Sequence, residues 1–353
     1  MGKIVCVVER DFRNPAENFD MGLSSIMADK DIDFSFYSTA VSGEPLPSSA
    51  LKDVDVYISV LRPVNADSLK EANRLKWIGR FGAGFDNVDM AACNERGILV
   101  SNAPQGVWIS VPEIVLGYML ALINKLKPYD KHIRVNGFKG IDVYNTRCLY
   151  GRTMGIVGFG GIGANLAKIL KAFSMNVQVY DLFADEKKLA DAGVKKVDLD
   201  TLLETSDFVS LNVPLTPSTR GMIGEKELAK MKKTAFLINT SRGFVCDDEA
   251  VARALKNRTI AGAAIDVFSG EPNVLDNPLV KLEPADNLIL TPHIAGAGSI
   301  DAMTITGQKL SECVIRIKDG KFPVNIINPQ ASKDGTVPPE CVTASFVSKP
   351  AKS

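Results

Sequence analysis

Histidine is scarce in this chain: its 353 residues include two, His132 and His293. Acid–base chemistry through imidazole therefore has two candidates. Cysteine is sparse as well. Cys6, Cys93, Cys148, Cys246, Cys313 and Cys341 form no C-x-x-C pair, which excludes a zinc ribbon or a thioredoxin-type motif. Six thiols in so long a chain are no disulfide scaffold, and a reducing, cytoplasmic compartment is expected. Net charge is also missing, with 41 Lys plus Arg against 41 Asp plus Glu. That balance argues against a nucleic-acid binder, which needs a basic excess, and against a polybasic membrane anchor. No apolar run approaches the roughly 18 residues of a membrane helix. A strand-like run starts at Ile4, so no signal-peptide pattern precedes it. Gly2 lacks a myristoylation context, because Cys6 stands where Ser or Thr is wanted.

What is present is an ordinary globular composition, 46% hydrophobic and 23% charged, long enough for two domains. Short β-branched runs alternate with helical stretches. Lys3–Val8, Phe34–Tyr37, Val54–Val60, Lys76–Arg80 and Gly97–Val100 read as buried strands, with helices expected at Glu17–Ala28 and Asp67–Asn73. Ser110 and Glu113 have capping-box spacing, with Pro112 in the first turn of an almost wholly apolar helix running to Ile123. Such a helix belongs between layers or at a subunit interface. A second series follows, with strands at Met154–Val157, Val177–Tyr180, Phe208–Asn212, Ala235–Asn239, Ile260–Ile265 and Asn287–Leu290. Two α/β units with parallel sheets are the expectation. From about Pro329 the chain turns polar and Pro-rich and reads as a poorly ordered tail.

Gly158-Phe159-Gly160-Gly161-Ile162-Gly163 fits G-x-G-x-x-G between a strand and a helix, and a second strand ends in Asp181. Together these form the dinucleotide fingerprint. The first two glycines allow a tight turn and close approach to a pyrophosphate. Gly163 lets the helix pack on its strand, and the helix N-terminus offers free N–H groups to phosphate. Asp181 suits the adenosine ribose and would repel a 2′-phosphate, so NAD is expected over NADP.

Three later segments each follow a strand: Asn239-Thr240-Ser241-Arg242-Gly243, Asp266-Val267-Phe268-Ser269-Gly270-Glu271-Pro272 and Thr291-Pro292-His293-Ile294-Ala295. Ligands of doubly wound sheets bind at the carboxyl ends of strands, so these segments are placed to converge. An arginine fork suits a carboxylate and a polarised carbonyl. A histidine suits proton transfer in both directions, and a carboxylate beside it orients the ring and favours imidazolium. His132, in Lys131-His132-Ile133-Arg134, reads as a solvated surface residue.

These motifs together resemble the D-isomer-specific 2-hydroxyacid dehydrogenases, from about residue 3 to residue 328. The resemblance implies two doubly wound parallel-sheet domains. A Rossmann NAD-binding domain (103–297) would be inserted into a flavodoxin-like substrate domain (1–102 and 298–328), with residues 329–353 as the tail. It implies a small 2-oxo or 2-hydroxy acid as substrate, of the hydroxypyruvate, glyoxylate or 3-phosphoglycerate type, and a homodimer. It implies that Arg242, Glu271 and His293 are catalytic. Gly158, Gly160, Gly161, Ile162, Gly163, Asp181, Pro214, Thr219, Thr240, Ser241, Asp266 and His293 would meet the cofactor, Asp266 facing the carboxamide. Substrate would meet Ala83, Gly84 and Arg242. Arg62 and Arg80 are candidates for a distal anion, with an ion pair inside the fold as the competing explanation. Some relatives with this residue set are instead NAD(H)-sensing corepressors. The chain departs from many relatives at Val107, Trp108, Pro112 and Asn212.

Overall fold

The computed structural model describes residues 3–10, 20–37, 43–282, 286–333 and 335–343. The chain forms two units, one from residues 1–107 and 297–353, the other from residues 108–296.

The first unit carries a parallel sheet of five strands: β1 (Ile4–Glu9), β2 (Ile32–Tyr37), β3 (Val56–Ser59), β4 (Trp77–Arg80) and β5 (Leu99–Asn102), in the order β2-β1-β3-β4-β5. This is the flavodoxin-like order. Every residue of β3 is buried, as expected for a strand covered on both faces. One face packs Ile26, Met303, Leu310 and Val314 against Val8, Ile58 and Trp77. The other packs Leu51, Leu69 and Cys93 against Val7, Tyr57 and Ile78.

The second unit carries seven parallel strands: β6 (Thr153–Val157), β7 (Asn176–Tyr180), β8 (Lys195–Lys196), β9 (Phe208–Leu211), β10 (Phe236–Asn239), β11 (Gly262–Ile265) and β12 (Leu288–Leu290). Their order, β12-β11-β10-β9-β6-β7-β8, places the topological switch point between β6 and β9. The dinucleotide crevice of such a sheet lies there, and the loop after β6 is the glycine-rich one. The two expected domain folds are therefore present.

Four local expectations fail. The helix expected over Glu17–Ala28 is a single turn, Ser24–Met27, and residues 17–19 lie outside the described residues. Asp67–Asn73 forms turns, not a helix. Asn65 starts them, its side-chain oxygen accepting from Ser68 N at 3.0 Å, in an Asx-type turn. Ser110 caps nothing: the helix begins three residues earlier, at Val107, and encloses Pro112. The expected tail is packed where it is described. Asn328 accepts from Val100 N at 2.7 Å and donates to Ile98 O at 3.0 Å and Asn94 Oδ1 at 2.9 Å. Val337 and Cys341 then bury against Ile326. Residues 344–353 lie outside the described residues.

Asn328 is almost wholly buried, so its loss strands a backbone donor and acceptor at the end of the sheet. Asn328→Ala is expected to cost about 1–3 kcal/mol in chemical denaturation. Unchanged stability would contradict its anchoring role.

Candidate active site

The site of the second unit starts with a backbone constraint. Gly158 has φ +97°, and a Cβ there would lie 2.7 Å from the Asn212 carbonyl on the far side of the switch point. At Gly163 a Cβ would lie 2.3 Å from the Gly158 carbonyl. The tight turn and the helix–strand contact assigned to these glycines are both present. Gly160 differs: a Cβ there would meet nothing within 4 Å, so it opens on empty space at the start of the helix Gly161–Ala172. That is a cradle a phosphate can enter, lined by N–H groups at the positive end of a helix.

Asp181, just after β7, accepts from Phe159 N at 2.7 Å, Phe183 N at 2.7 Å and Ala184 N at 2.9 Å. Its carboxylate is thereby fixed beside the glycine loop. Thr240 Oγ1 and Asn212 Oδ1, just beyond the ends of β10 and β9, are buried without a hydrogen-bond partner. A polar ligand at these strand ends would satisfy both. The residues present therefore fit a dinucleotide. Thr219 spends its hydroxyl on a turn, donating to Pro214 O at 2.6 Å, so this pair forms a rigid corner.

Arg242 follows β10 in a turn organised by Asn239. Asn239 Oδ1 accepts from Ser241 N at 3.0 Å and Ser241 Oγ at 2.8 Å, while its Nδ2 donates to Arg242 O at 3.1 Å. The next residue must be glycine, since a Cβ at Gly243 would lie 1.9 Å from the Phe268 carbonyl carbon. This close approach joins the Arg242 turn to the loop that carries Glu271. A second tie is Asp248, which accepts from Ser269 N at 2.9 Å and Asn277 Nδ2 at 2.6 Å.

Glu271 and His293 are paired, His293 Nδ1 lying 2.8 Å from Glu271 Oε2. The other carboxylate oxygen accepts from Phe268 N at 2.6 Å. Burial alone would raise the Glu271 pKa. The His293 hydrogen bond and charge, the Phe268 amide and the Arg242 charge outweigh it and hold the carboxyl below its ordinary value. Arg242, Glu271 and His293 are thus brought together, as expected from their order in the chain.

Asp266 is fully buried. It accepts from Thr291 Oγ1 at 2.7 Å, Ile294 N at 2.8 Å and Ala295 N at 2.9 Å, and its carbonyl accepts from His293 N at 2.8 Å. Tyr118, from the long apolar helix, adds a hydroxyl to the Thr291–Asp266 pair, and burial pushes its phenol above the ordinary range. Asp266 therefore holds the segment that carries His293. Its carboxylate is engaged within the fold.

The remaining expected residues belong to the first unit. Arg62 is buried, with Nη1 3.5 Å from Pro45 O. Its backbone N donates to Glu9 Oε1 at 2.8 Å. Glu9 is a buried carboxylate that also accepts from Val60 N, Leu61 N and Tyr57 Oη. Arg80 donates to Asn87 Oδ1 at 2.9 Å and to Phe81 O. Both arginines thus have partners inside their own unit. Ala83 O accepts from Asn102 Nδ2 at 2.8 Å, and Ala103 N donates to Gly82 O at 3.0 Å, fixing the Gly82–Gly84 loop. His132 lies on the surface near Lys139 O, at 2.9 Å.

Asn239, Gly243, Asp248, Tyr118 and Glu9 escaped the sequence reading. Of these, Glu9 left a visible signal, an acid closing an apolar strand run. Asp266→Asn puts amide hydrogens among donors, and is expected to destabilise the second unit by about 3 kcal/mol. Hydrogen exchange at Ile294 and Ala295 should accelerate in the same variant. Unchanged exchange would contradict the anchor.

Comparison with known proteins agrees with this geometry. Residues 116–295 match the family described as D-isomer specific 2-hydroxyacid dehydrogenase, NAD binding domain. The chain is 37% identical over 324 residues to a glyoxylate reductase of Korarchaeum cryptofilum, covering 89% of this chain and 94% of that protein. It is 39% identical over 287 residues to a D-3-phosphoglycerate dehydrogenase of Methanocaldococcus jannaschii, covering 79% of this chain and 52% of that protein. The chain thus spans about half the length of that second relative. The structure of D-lactate dehydrogenase from Aquifex aeolicus, complexed with NAD and lactic acid, matches with a TM-score of 0.78 at 29% identity, covering 90% of this chain and 96% of that one. The chain belongs to the D-isomer-specific 2-hydroxyacid dehydrogenase family and is an NAD-dependent oxidoreductase.

Proposed function

We propose that this protein reduces a small 2-oxo acid to the D-2-hydroxy acid, and runs the reverse, with Arg242, Glu271 and His293 acting on the substrate. The observation that carries this reading is the 2.8 Å contact between His293 Nδ1 and Glu271 Oε2. With Nδ1 engaged, proton exchange with substrate falls to Nε2. Reduction moves that proton to the oxygen on C2, and the anionic Glu271 stabilises the imidazolium before transfer. Arg242, whose charge acts on Glu271, supplies the cation for the substrate carboxylate and the polarised carbonyl. Bound NAD(H) supplies or accepts the hydride.

The cofactor would be held by the backbone of Gly158, Gly160, Gly161, Ile162 and Gly163 at the pyrophosphate and by Asp181 at the ribose. Pro214, Thr219, Thr240 and Ser241 would line the rest, and Asp266 would act beneath the nicotinamide end by fixing His293. The fixed Asp181 carboxylate supports NAD over NADP, since a 2′-phosphate would meet its charge. Glyoxylate and hydroxypyruvate lead the candidate substrates, because the relative named a glyoxylate reductase is matched over nearly its whole length. The 3-phosphoglycerate couple comes next.

We infer a homodimer from the stretch after the apolar helix, where Val135, Phe138, Val143, Tyr144 and Tyr150 are large and exposed. Five large exposed apolar groups within one stretch of chain support an interface there. No single helix among the described residues is long and apolar enough to cross a membrane. All six cysteines are free, which supports a reducing, cytoplasmic setting.

The test is NADH oxidation against glyoxylate, hydroxypyruvate, phosphohydroxypyruvate, pyruvate and 2-oxoisocaproate, with NADPH in parallel. One substrate should stand out, with NADH preferred. His293→Ala should lose about 100-fold or more in turnover, the usual scale of a general acid, while still binding NADH. Reduction should fall toward alkaline pH and oxidation toward acid. Glu271→Gln should lower turnover at unchanged NADH affinity, because the ring loses the anionic acceptor that orients it. Near-normal turnover in His293→Ala would overturn the assignment. Silence across the panel with NADH bound would favour the cofactor-sensing role.

A further inference from the structure

Position 161 is one of the variable places in G-x-G-x-x-G, where the backbone does not demand glycine. Unlike Gly158, Gly161 has no positive φ. Its lack of a side chain has another cause. A Cβ at Gly161 would lie 2.3 Å from both Nε1 and Cε2 of Trp108 and 2.6 Å from Cδ1. The pyrrole edge of the indole occupies the space a side chain at 161 would fill. Its neighbour Gly160 faces the empty cradle. Trp108 is half-buried and is held by the second residue of the helix Val107–Ile123.

The indole N–H is the informative atom. The other tryptophan, Trp77, donates its Nε1–H to Ser101 Oγ at 3.0 Å. Among the described residues, no acceptor pairs with Trp108 Nε1–H. This N–H is accessible at the surface of the unit, and an indole offers no alternative polar atom, so it can donate to a ligand. Here it lies against the first turn of the helix whose free N–H groups face the cradle. A neutral donor there adds a charge-assisted hydrogen bond to a phosphate oxygen without adding a cation. Its ring is also rigid, so little side-chain entropy is lost on binding.

We propose that Trp108 is a cofactor-contact residue, whose indole N–H donates to the pyrophosphate at the mouth of the phosphate loop and whose ring requires glycine at 161. The inference rests on the placement of the dinucleotide at residues 158–163, and it adds a donor from outside the fingerprint. The Trp108–Gly161 pair is coupled. Gly161→Ala should weaken NADH binding in the native background and be better tolerated beside Trp108→Ala, where the space is vacated.

The direct test measures dissociation constants for NADH, ADP-ribose and adenosine in the unaltered protein, Trp108→Phe and Asp181→Ala. Phenylalanine keeps a ring at 108 and removes the N–H. Trp108→Phe is expected to weaken NADH and ADP-ribose alike, by about tenfold, the scale of one hydrogen bond to a charged group, and to leave adenosine unchanged. If Asp181→Ala weakens NADH while Trp108→Phe does not, Trp108 is a wall only and the proposal fails, with the cofactor site intact. If neither variant weakens NADH, the placement of the dinucleotide fails and takes the proposal with it. Equal weakening of adenosine by Trp108→Phe would show general distortion and would also overturn the phosphate contact.

Discussion

One buried carboxylate, Asp266, orders the chemistry of the second unit. An anion with no access to water is tolerable only when hydrogen-bond donors surround it. Among the described residues no cation hydrogen-bonds Asp266; hydroxyl and amide donors from Thr291, Ile294 and Ala295 take that place. Those donors flank His293, so satisfying the charge folds the 291–295 segment and presents the imidazole. The same residue begins the loop that ends in Glu271. One electrostatic requirement thus places His293 beside the loop that carries Glu271.

The third member arrives by sterics. Gly243 lets the turn after β10 run directly against Phe268, a contact that any side chain would block. Arg242 is therefore fixed to the same loop as Glu271, and its charge helps keep that carboxyl ionised. Ionised, Glu271 accepts from His293 Nδ1 and from Phe268 N, so the ring has one orientation. The arrangement suits a reaction in which a proton follows a hydride, because the donor is aimed before substrate arrives.

Much of this was legible in the chain. The apolar runs marked all eleven longer strands, because strands covered on both faces must be continuous in apolar residues, though β2 begins two residues earlier, at Ile32. The phosphate loop, Asp181 and the Arg242, Glu271 and His293 segments were visible because each is a short polar or glycine-rich run directly after an apolar strand. What escaped was set by contacts distant in sequence. Ser110 carries the pattern of a cap, yet the helix starts at Val107 and leaves the Ser110 hydroxyl buried without a partner. The residues after Asn328 look like a tail in composition, yet one buried amide fastens them to β5. The role of Gly243 depends on a neighbouring loop that no local pattern announces.

In the proposed reaction Glu271 fixes the tautomer of His293 and leaves proton exchange to Nε2. With two histidines in the chain, nitrogen NMR of the imidazoles reads this directly, His293→Ala identifying the signals. Neutral His293 should carry its proton on Nδ1, toward Glu271, and titrate at Nε2; Glu271→Gln should weaken that preference. A neutral His293 protonated at Nε2, indifferent to Glu271→Gln, would contradict the account.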